Sequence, residues 1–263
     1  MNKLTRRVLS LSTLLLCLAA ATSAQNLTVR DIMAEPSIAG QRVDGEKLSP
    51  DGTKVVFLWN AEGRYPRDVY IVPTDGSAKP SVLLKQSSLP VPQPSPTPEN
   101  KLNYGLVVRD QFVKDRDNAI GGLEWSPDSK RLIFTQNGDL FLLGVGDAKP
   151  RRLTKTQSAE FNARFVDNDR VLYQQSGNLF VLNLADASIV QLTKEADAAR
   201  FIGVGNATVS KDGLMLAYTV SDSSKQRALL VPNYLNEYVE GPTFRRGWSE
   251  QKVLVIPTDG SRD

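Results

Sequence analysis

An all-β chain is predicted by three observations. The first is a repeat that keeps one internal spacing. Trp125-Ser126-Pro127-Asp128, Phe134, Gly138-Asp139-Leu140-Phe141 and Leu153-Thr154 return as Phe165-Val166-Asp167, Tyr173, Gly177-Asn178-Leu179-Phe180 and Leu192-Thr193. Asp167, Tyr173, Phe180 and Thr193 each follow their counterparts by the same 39 residues. The second is a pair of related turns, Ser49-Pro50-Asp51-Gly52 and Ser210-Lys211-Asp212-Gly213, each with an aromatic (Phe57, Tyr218) six residues after its Asp. The third is that short apolar runs, such as Leu132-Ile133-Phe134 and Leu140-Phe141-Leu142-Leu143, are joined by tight turn residues such as Asn137-Gly138. A period of about 40 residues made of short strands marks a β-propeller of four-stranded blades.

The chain opens with a processing signal. Lys3, Arg6 and Arg7 precede an apolar run from Val8 to Ala21, shorter than the roughly 20 residues that span a bilayer. Thr22-Ser23-Ala24 supplies the small residues that a signal peptidase reads, so residues 1–24 are expected to be removed after Ala24. Cys17 sits within the apolar run behind Leu16, where a lipoprotein signal needs a small residue. Thr5-Arg6-Arg7-Val8-Leu9 loosely resembles a twin-arginine signal, which leaves the export route open. Either route places the mature protein in the periplasm or outside the cell.

Cleavage removes three of the 32 basic residues and leaves as many as the 29 acidic ones. A neutral mature chain gives no electrostatic reason to expect nucleic acid or an anionic membrane as partner. The single Cys leaves with the signal, so the core must stabilise the mature fold without a disulfide.

Residues 25–44 are expected to form a lead-in strap, with Asp31 capping a short helix that runs to about Ala34 and ends at Pro36. Residues 45–263 are expected to be a partial propeller. Its blades cover about 45–86, 120–157, 158–197 and 200–263. In the last, Leu214 to Tyr218 and Ala228 to Val231 read as strands, followed by a detour from Pro232 to Glu250. A Pro-rich insertion fills 87–119; its alternate prolines from Pro90 to Pro98 cannot donate to a β-ladder. That interval accommodates either a long insertion or a degenerate blade around Tyr104 to Val108. The turn at Ile256 to Ser261 repeats the turn at Val72 to Ser77, yet two residues remain where the first blade continues into a strand. The ring is therefore expected to be incomplete, about four or five blades of a longer polypeptide.

The turn aspartates Asp51, Asp128, Asp167 and Asp212 are expected to accept hydrogen bonds from the backbone of their own turns, a structural duty. Glu237, Glu240, Arg245 and Arg246 share the detour with Tyr234, Tyr238, Phe244 and Trp248. They are the substrate-binding candidates, in a loop over the propeller mouth whose arginines can grip a carboxylate. The alternating charges Lys114, Asp115, Arg116 and Asp117 read as a solvated loop. No catalytic residue is assigned. The chain has no His to deprotonate a serine, and Gly247-Trp248-Ser249-Glu250-Gln251 lacks the second Gly of a nucleophile elbow. No metal or cofactor is expected, because no His is present and no Asp/Asn loop has calcium-ligand spacing.

Leu48-Ser-Pro-Asp-Gly-Thr-Lys-Val-Val-Phe57, Trp125-Ser-Pro-Asp-Ser-Lys-Arg-Leu-Ile-Phe134 and the Leu-Thr closing each blade resemble the repeat of TolB-type and peptidase propellers. The mature stretch resembles the N-terminal propeller of S9 serine peptidases, the prolyl oligopeptidase and dipeptidyl peptidase IV group. That resemblance implies a non-catalytic region of an exported exopeptidase, gating and positioning peptide substrates for an α/β-hydrolase domain absent from this chain. The adjacent glutamates that hold a substrate's amine in dipeptidyl peptidases have no counterpart here, so no such role is transferred. The alternative is a stand-alone, TolB-like periplasmic interaction propeller without chemistry. A hydrolase of the sialidase kind would need carboxylates and a Tyr converging at the propeller centre.

Overall fold

A computed structural model of the chain describes residues 28–33, 42–63, 65–90, 118–232 and 238–261. Two compact units are present, Met1–Gly40 and Gln41–Asp263. The described part of the first holds one short helix, α1 (Val29–Met33). Its cap is Thr28, which corrects the expected role of Asp31. Thr28 Oγ1 accepts from the Asp31 N–H (3.1 Å), while the Asp31 carboxylate accepts from the Thr28 N–H (2.9 Å) and hydroxyl (2.7 Å). This reciprocal box needs a hydroxyl before the helix and an acid in its first turn, so Asp31 falls inside the helix. Ala34 and Pro36 lie outside the described residues.

In the second unit, antiparallel sheets follow one another in chain order. The first contains β1 (Asp44–Leu48), β2 (Lys54–Trp59), β3 (Asp68–Pro73) and β4 (Ser81–Leu84). The next contains β5 (Ile120–Trp125), β6 (Arg131–Gln136), β7 (Asp139–Gly144) and β8 (Arg151–Arg152). The third contains β9 (Glu160–Phe165), β10 (Arg170–Gln175), β11 (Asn178–Asn183) and β12 (Ile189–Gln191). Then come β13 (Ile202–Val209), β14 (Met215–Asp222), β15 (Arg227–Pro232), β16 (Tyr238–Arg246) and β17 (Glu250–Pro257). Each four-stranded sheet is a simple meander, and β5 lies beside both β1 and β9. Stacked meanders whose first strands run side by side are propeller blades. The segment around Tyr104 to Val108, the Lys114 to Asp117 charge run and most of the Pro-rich insertion lie outside the described residues.

Strand period explains the stacking. Successive side chains point to opposite faces, and in the middle strands both faces are apolar. Leu132 and Phe134 enter a core with Val56 and Leu58 of the first blade, while Ile133 between them joins Ala163 and Val171 of the third. One blade further on, Val171 and Tyr173 face back to the second blade and Leu172 faces Leu216 and Tyr218 of the fourth. The aromatic that follows each turn has a cross-strand partner. Phe57 stacks on Tyr70, Phe134 on Phe141 and Tyr173 on Phe180, with ring centroids 5.8, 5.4 and 5.6 Å apart. Such pairs add about 0.5–1.5 kcal/mol beyond their buried area.

Polar seams tie neighbouring blades at the same height. Asp51 N–H donates to Ser129 Oγ (3.0 Å), Asp128 N–H to Asn168 Oδ1 (3.0 Å), and Arg170 to Gly213 O and Thr258 Oγ1 (both 3.0 Å). The blade-closing threonines are also explained. Thr154 Oγ1 accepts from Leu140 N–H (2.8 Å) and Thr193 Oγ1 from Leu179 N–H (2.9 Å), each binding the outer connection to the third strand.

The fourth blade departs from the expected strand assignment. β17, not the Ala228 to Val231 run, pairs with β14, along all eight residues from Met215↔Pro257 to Asp222↔Glu250. β13 occupies the other edge of β14, so β15 has no edge to join and pairs with β16 as a separate hairpin. The detour therefore begins at Ser223 rather than Pro232. Among the described residues, no helix is long and apolar enough to cross a membrane.

Leu132→Ala empties a site of 0% exposure shared by two blades. A loss of about 2–5 kcal/mol is expected, read as a lower urea midpoint. Val253→Thr, on a β17 residue that is 70% exposed, is expected to change stability by less than about 0.5 kcal/mol.

Candidate functional site

Meander topology sorts the connections onto two rims. Links from first to second strand and from third to fourth leave at one rim; links from second to third strand and between blades leave at the other. The first rim carries the tight Asp turns. All the long excursions leave from the second: the loop of residues 60–67, the link of 85–119 and the hairpin-bearing segment of 223–249.

On the turn rim, Ser49 Oγ donates to Asp51 Oδ1 (2.6 Å) and accepts from Lys54 N–H (2.9 Å), while Asp51 Oδ1 also accepts from Thr53 N–H (3.0 Å). Ser126 with Asp128, and Ser210 with Asp212, build the same box. The Ser half of this device was not singled out in the sequence, although the Ser-x-Asp spacing displays it. In the third blade the turn is one residue shorter. Val166 N–H reaches Arg170 O, where Ser126 N–H reaches Arg131 O. Asp167 there accepts from the Asp169 and Arg170 N–H groups and from Arg170 Nε (2.7 Å). Hydrogen bonds from Ser49 and then Thr53 hold the Asp51 carboxyl at about 2. Ser126 and Ser210 lower Asp128 and Asp212 in the same way. Burial raises Asp167, but the bonds and charge of Arg170, with the Asp169 N–H, outweigh it and leave that carboxyl lowered as well.

On the other rim, Arg67 pairs with Asp44 (3.0 Å) and lies over the Tyr65 ring (4.8 Å). Of the substrate-binding candidates, Glu237 lies outside the described residues. Glu240, Arg245 and Arg246 stand in β16 opposite Leu230, Ala228 and Arg227 of β15. Just past that hairpin Trp248 is 96% exposed.

The first strands form the inner wall, and each carries a bulge. The bulged positions hold Gly45 (φ 62°), Gly122 (φ 63°), Asn162 (φ 54°) and Asn206 (φ 45°). A left-handed residue other than Gly costs about 1–2 kcal/mol, and Asn is among the side chains that tolerate it best. Asn162 and Asn206 line one cavity of about 60 Å³ together with Arg164, Gln174, Leu172 and Leu179. Sequence reasoning missed this group, because its members are brought together only when the third and fourth blades pack.

A carboxylate and a Tyr do meet, but inside the structure. Glu160 and Tyr173 are both 2% exposed, in the interface of the second and third blades. Glu160 accepts from Thr154 Oγ1 (2.7 Å), Gln175 Nε2 (2.6 Å) and the Thr156 hydroxyl. Burial, then the Glu160 charge, push the Tyr173 phenol up to about 12, far from an accessible nucleophile.

The lowered turn carboxylates make acid stability testable. Unfolded Asp titrates near 3.9, so these groups stabilise the native state above that value and lose the contribution as pH falls through their folded values. Tm is expected to be level from about pH 8 to 5 and to fall below about pH 4. Asp51→Asn should take up as much as one proton less on unfolding at pH 3, measured by the pH dependence of calorimetric melting.

No protein-family model and no curated protein matches the chain. Among solved structures it is similar to a protein assigned as TolB from Agrobacterium tumefaciens, with TM-score 0.48 and 15% identity over 82% of this chain and 62% of that one. It is also similar to TolB from Acinetobacter baumannii, with TM-score 0.44 and 14% identity over 84% of this chain and 53% of that one. The chain thus spans less than two thirds of the length of either structure. Nothing in these comparisons supports the S9 peptidase link.

Proposed function

We propose that this chain is a non-catalytic, TolB-like interaction propeller of the cell envelope, binding a protein partner through its excursion rim. The observation that carries this is Trp248, 96% exposed beside a hairpin on the rim from which the long excursions leave. A fully solvated Trp is costly to keep in water and dominates interfaces when buried, while loops on a rigid scaffold are the usual carriers of binding residues. The opposite rim is consumed by its own turn bonds. The basic and apolar N-terminal segment supports export, although it lies outside the described residues. The absence of His from the whole sequence supports a role without acyl-transfer chemistry.

The test is crosslinking of the purified chain in an envelope fraction, with partners identified by mass spectrometry. Crosslinks are expected at Lys85, Lys155, Lys194 and Lys225 on the excursion rim, and not at Lys79, Lys130, Lys149 or Lys211 on the turn rim. Trp248→Ala should weaken capture by about 2 kcal/mol or more, some thirty-fold, at unchanged Tm. Crosslinks confined to the turn rim, or capture indifferent to Trp248→Ala, refute the proposal. The chain is also expected not to hydrolyse a dipeptide anilide; turnover that follows it through purification would show a catalyst instead.

A further inference from the structure

The cavity between the first strands of the third and fourth blades holds a cation that no carboxylate among the described residues neutralises. Arg164 lies on its wall, and no carboxylate among the described residues is within ion-pair distance of the guanidinium. The nearest acid along β9, Glu160, is held by Thr154, Thr156 and Gln175. Asn162 Nδ2 donates to Gln174 Oε1 (3.1 Å) and Gln174 Nε2 to Val204 O (2.9 Å), which fixes those two amides. The Asn206 side chain has no hydrogen-bond partner among the described residues. Arg164 and Asn206 thus line one small space with side-chain N–H donors that no hydrogen bond among the described residues uses.

We propose that this cavity is a binding site for a single carboxylate group. It deepens the interaction reading above by naming the chemistry that the inner wall recognises in a partner. Its volume of about 60 Å³ exceeds the roughly 10–15 Å³ that one water needs, which leaves room for a small polar group. A guanidinium presents a planar fork matched to those oxygens. Leu172 and Leu179 form a buried apolar floor, which lowers the local dielectric and strengthens a charge-assisted hydrogen bond. The bulges point the same way. The first two blades place Gly at the left-handed position, yet a Cβ there would meet only ordinary contacts, Leu58 Cδ1 at 3.6 Å from Gly45 and Thr135 Oγ1 at 3.5 Å from Gly122. Space therefore does not dictate which blades carry Asn. The strained Asn stands at the two bulges that share the cavity with Arg164, the pattern of backbone strain kept for a site.

The test follows the Arg164 Nε–H resonance of the full chain during titration with sodium acetate, using sodium chloride as the ionic control. Two peptides separate the sources of the group: one amidated with an internal Asp, the other with Asn in that place and a free C-terminal carboxylate. Acetate is expected to shift the resonance saturably where chloride does not, and one of the peptides to bind at least ten-fold more tightly than acetate. Arg164→Ala should abolish acetate binding, followed in that variant by the side-chain amide resonances of Asn206. The double variant Asn162→Gly, Asn206→Gly relieves the left-handed strain, so its Tm should equal or exceed the parent's while acetate affinity falls ten-fold or more. Equal shifts with acetate and chloride, or parental affinity in the double-Gly variant, overturn the site. Loss of the site with Trp248-dependent capture intact leaves the interaction reading standing; saturable acetate binding without any captured partner removes that reading and keeps the site.

Discussion

The structure depends on the burial of both faces of the middle strands in each blade. A sheet with one apolar face can rest against a single neighbour and present polar residues to water. Here Ile133 and its neighbours Leu132 and Phe134 feed two different cores, so the second blade is held between the first and the third. The third blade repeats this with Val171, Leu172 and Tyr173. The same alternation leaves one face of each end blade outward, where Val82 on β4 and Val253 and Val255 on β17 are exposed. Hydrogen bonds supplement this packing and do not replace it: the seams at Ser129, Asn168 and Thr258 set the height at which blades meet.

From this stacking come the two surfaces that differ in character. Tight turns satisfy their own backbone through Ser-x-Asp boxes, and that rim has few groups left to offer. Excursions are confined to the other rim, because only there do second-to-third and inter-blade links emerge. The inner wall is a third environment. Along it, the bulges at Asn162 and Asn206 place both residues on the cavity that Arg164 also lines. Opposite in kind is the buried pair Glu160 and Tyr173, in which the Thr154 and Thr156 hydroxyls and the Gln175 amide hold the Glu160 carboxylate.

Much of the fold was legible because repeat spacing is local. The aromatic six residues after Asp51, Asp128, Asp167 and Asp212 marks the second strand of every blade, and its cross-strand partner lies across a two-residue turn in the second and third blades and an eight-residue loop in the first. The fourth blade was misjudged where locality failed. The run from Ala228 to Val231 is as strand-like as that from Val253 to Ile256, and only competition for the edge of β14 separates them. At α1, composition suggested an acid cap, while the hydroxyl of Thr28 in front of it supplied the better geometry.

The sequence by itself determined the class of fold, the blade period and the chemistry of the turns, since each rests on residues within one repeat. Composition alone also showed that this sequence contains no His. Tertiary structure decided which strand completes the fourth blade and which rim bears the long segments. It also decided that Arg164, Asn162 and Asn206 share a cavity, although Asn206 is far along the chain from the other two. The reason is physical: edge competition and the meeting of first strands depend on blades packing face to face, and no spacing along the chain encodes those distances.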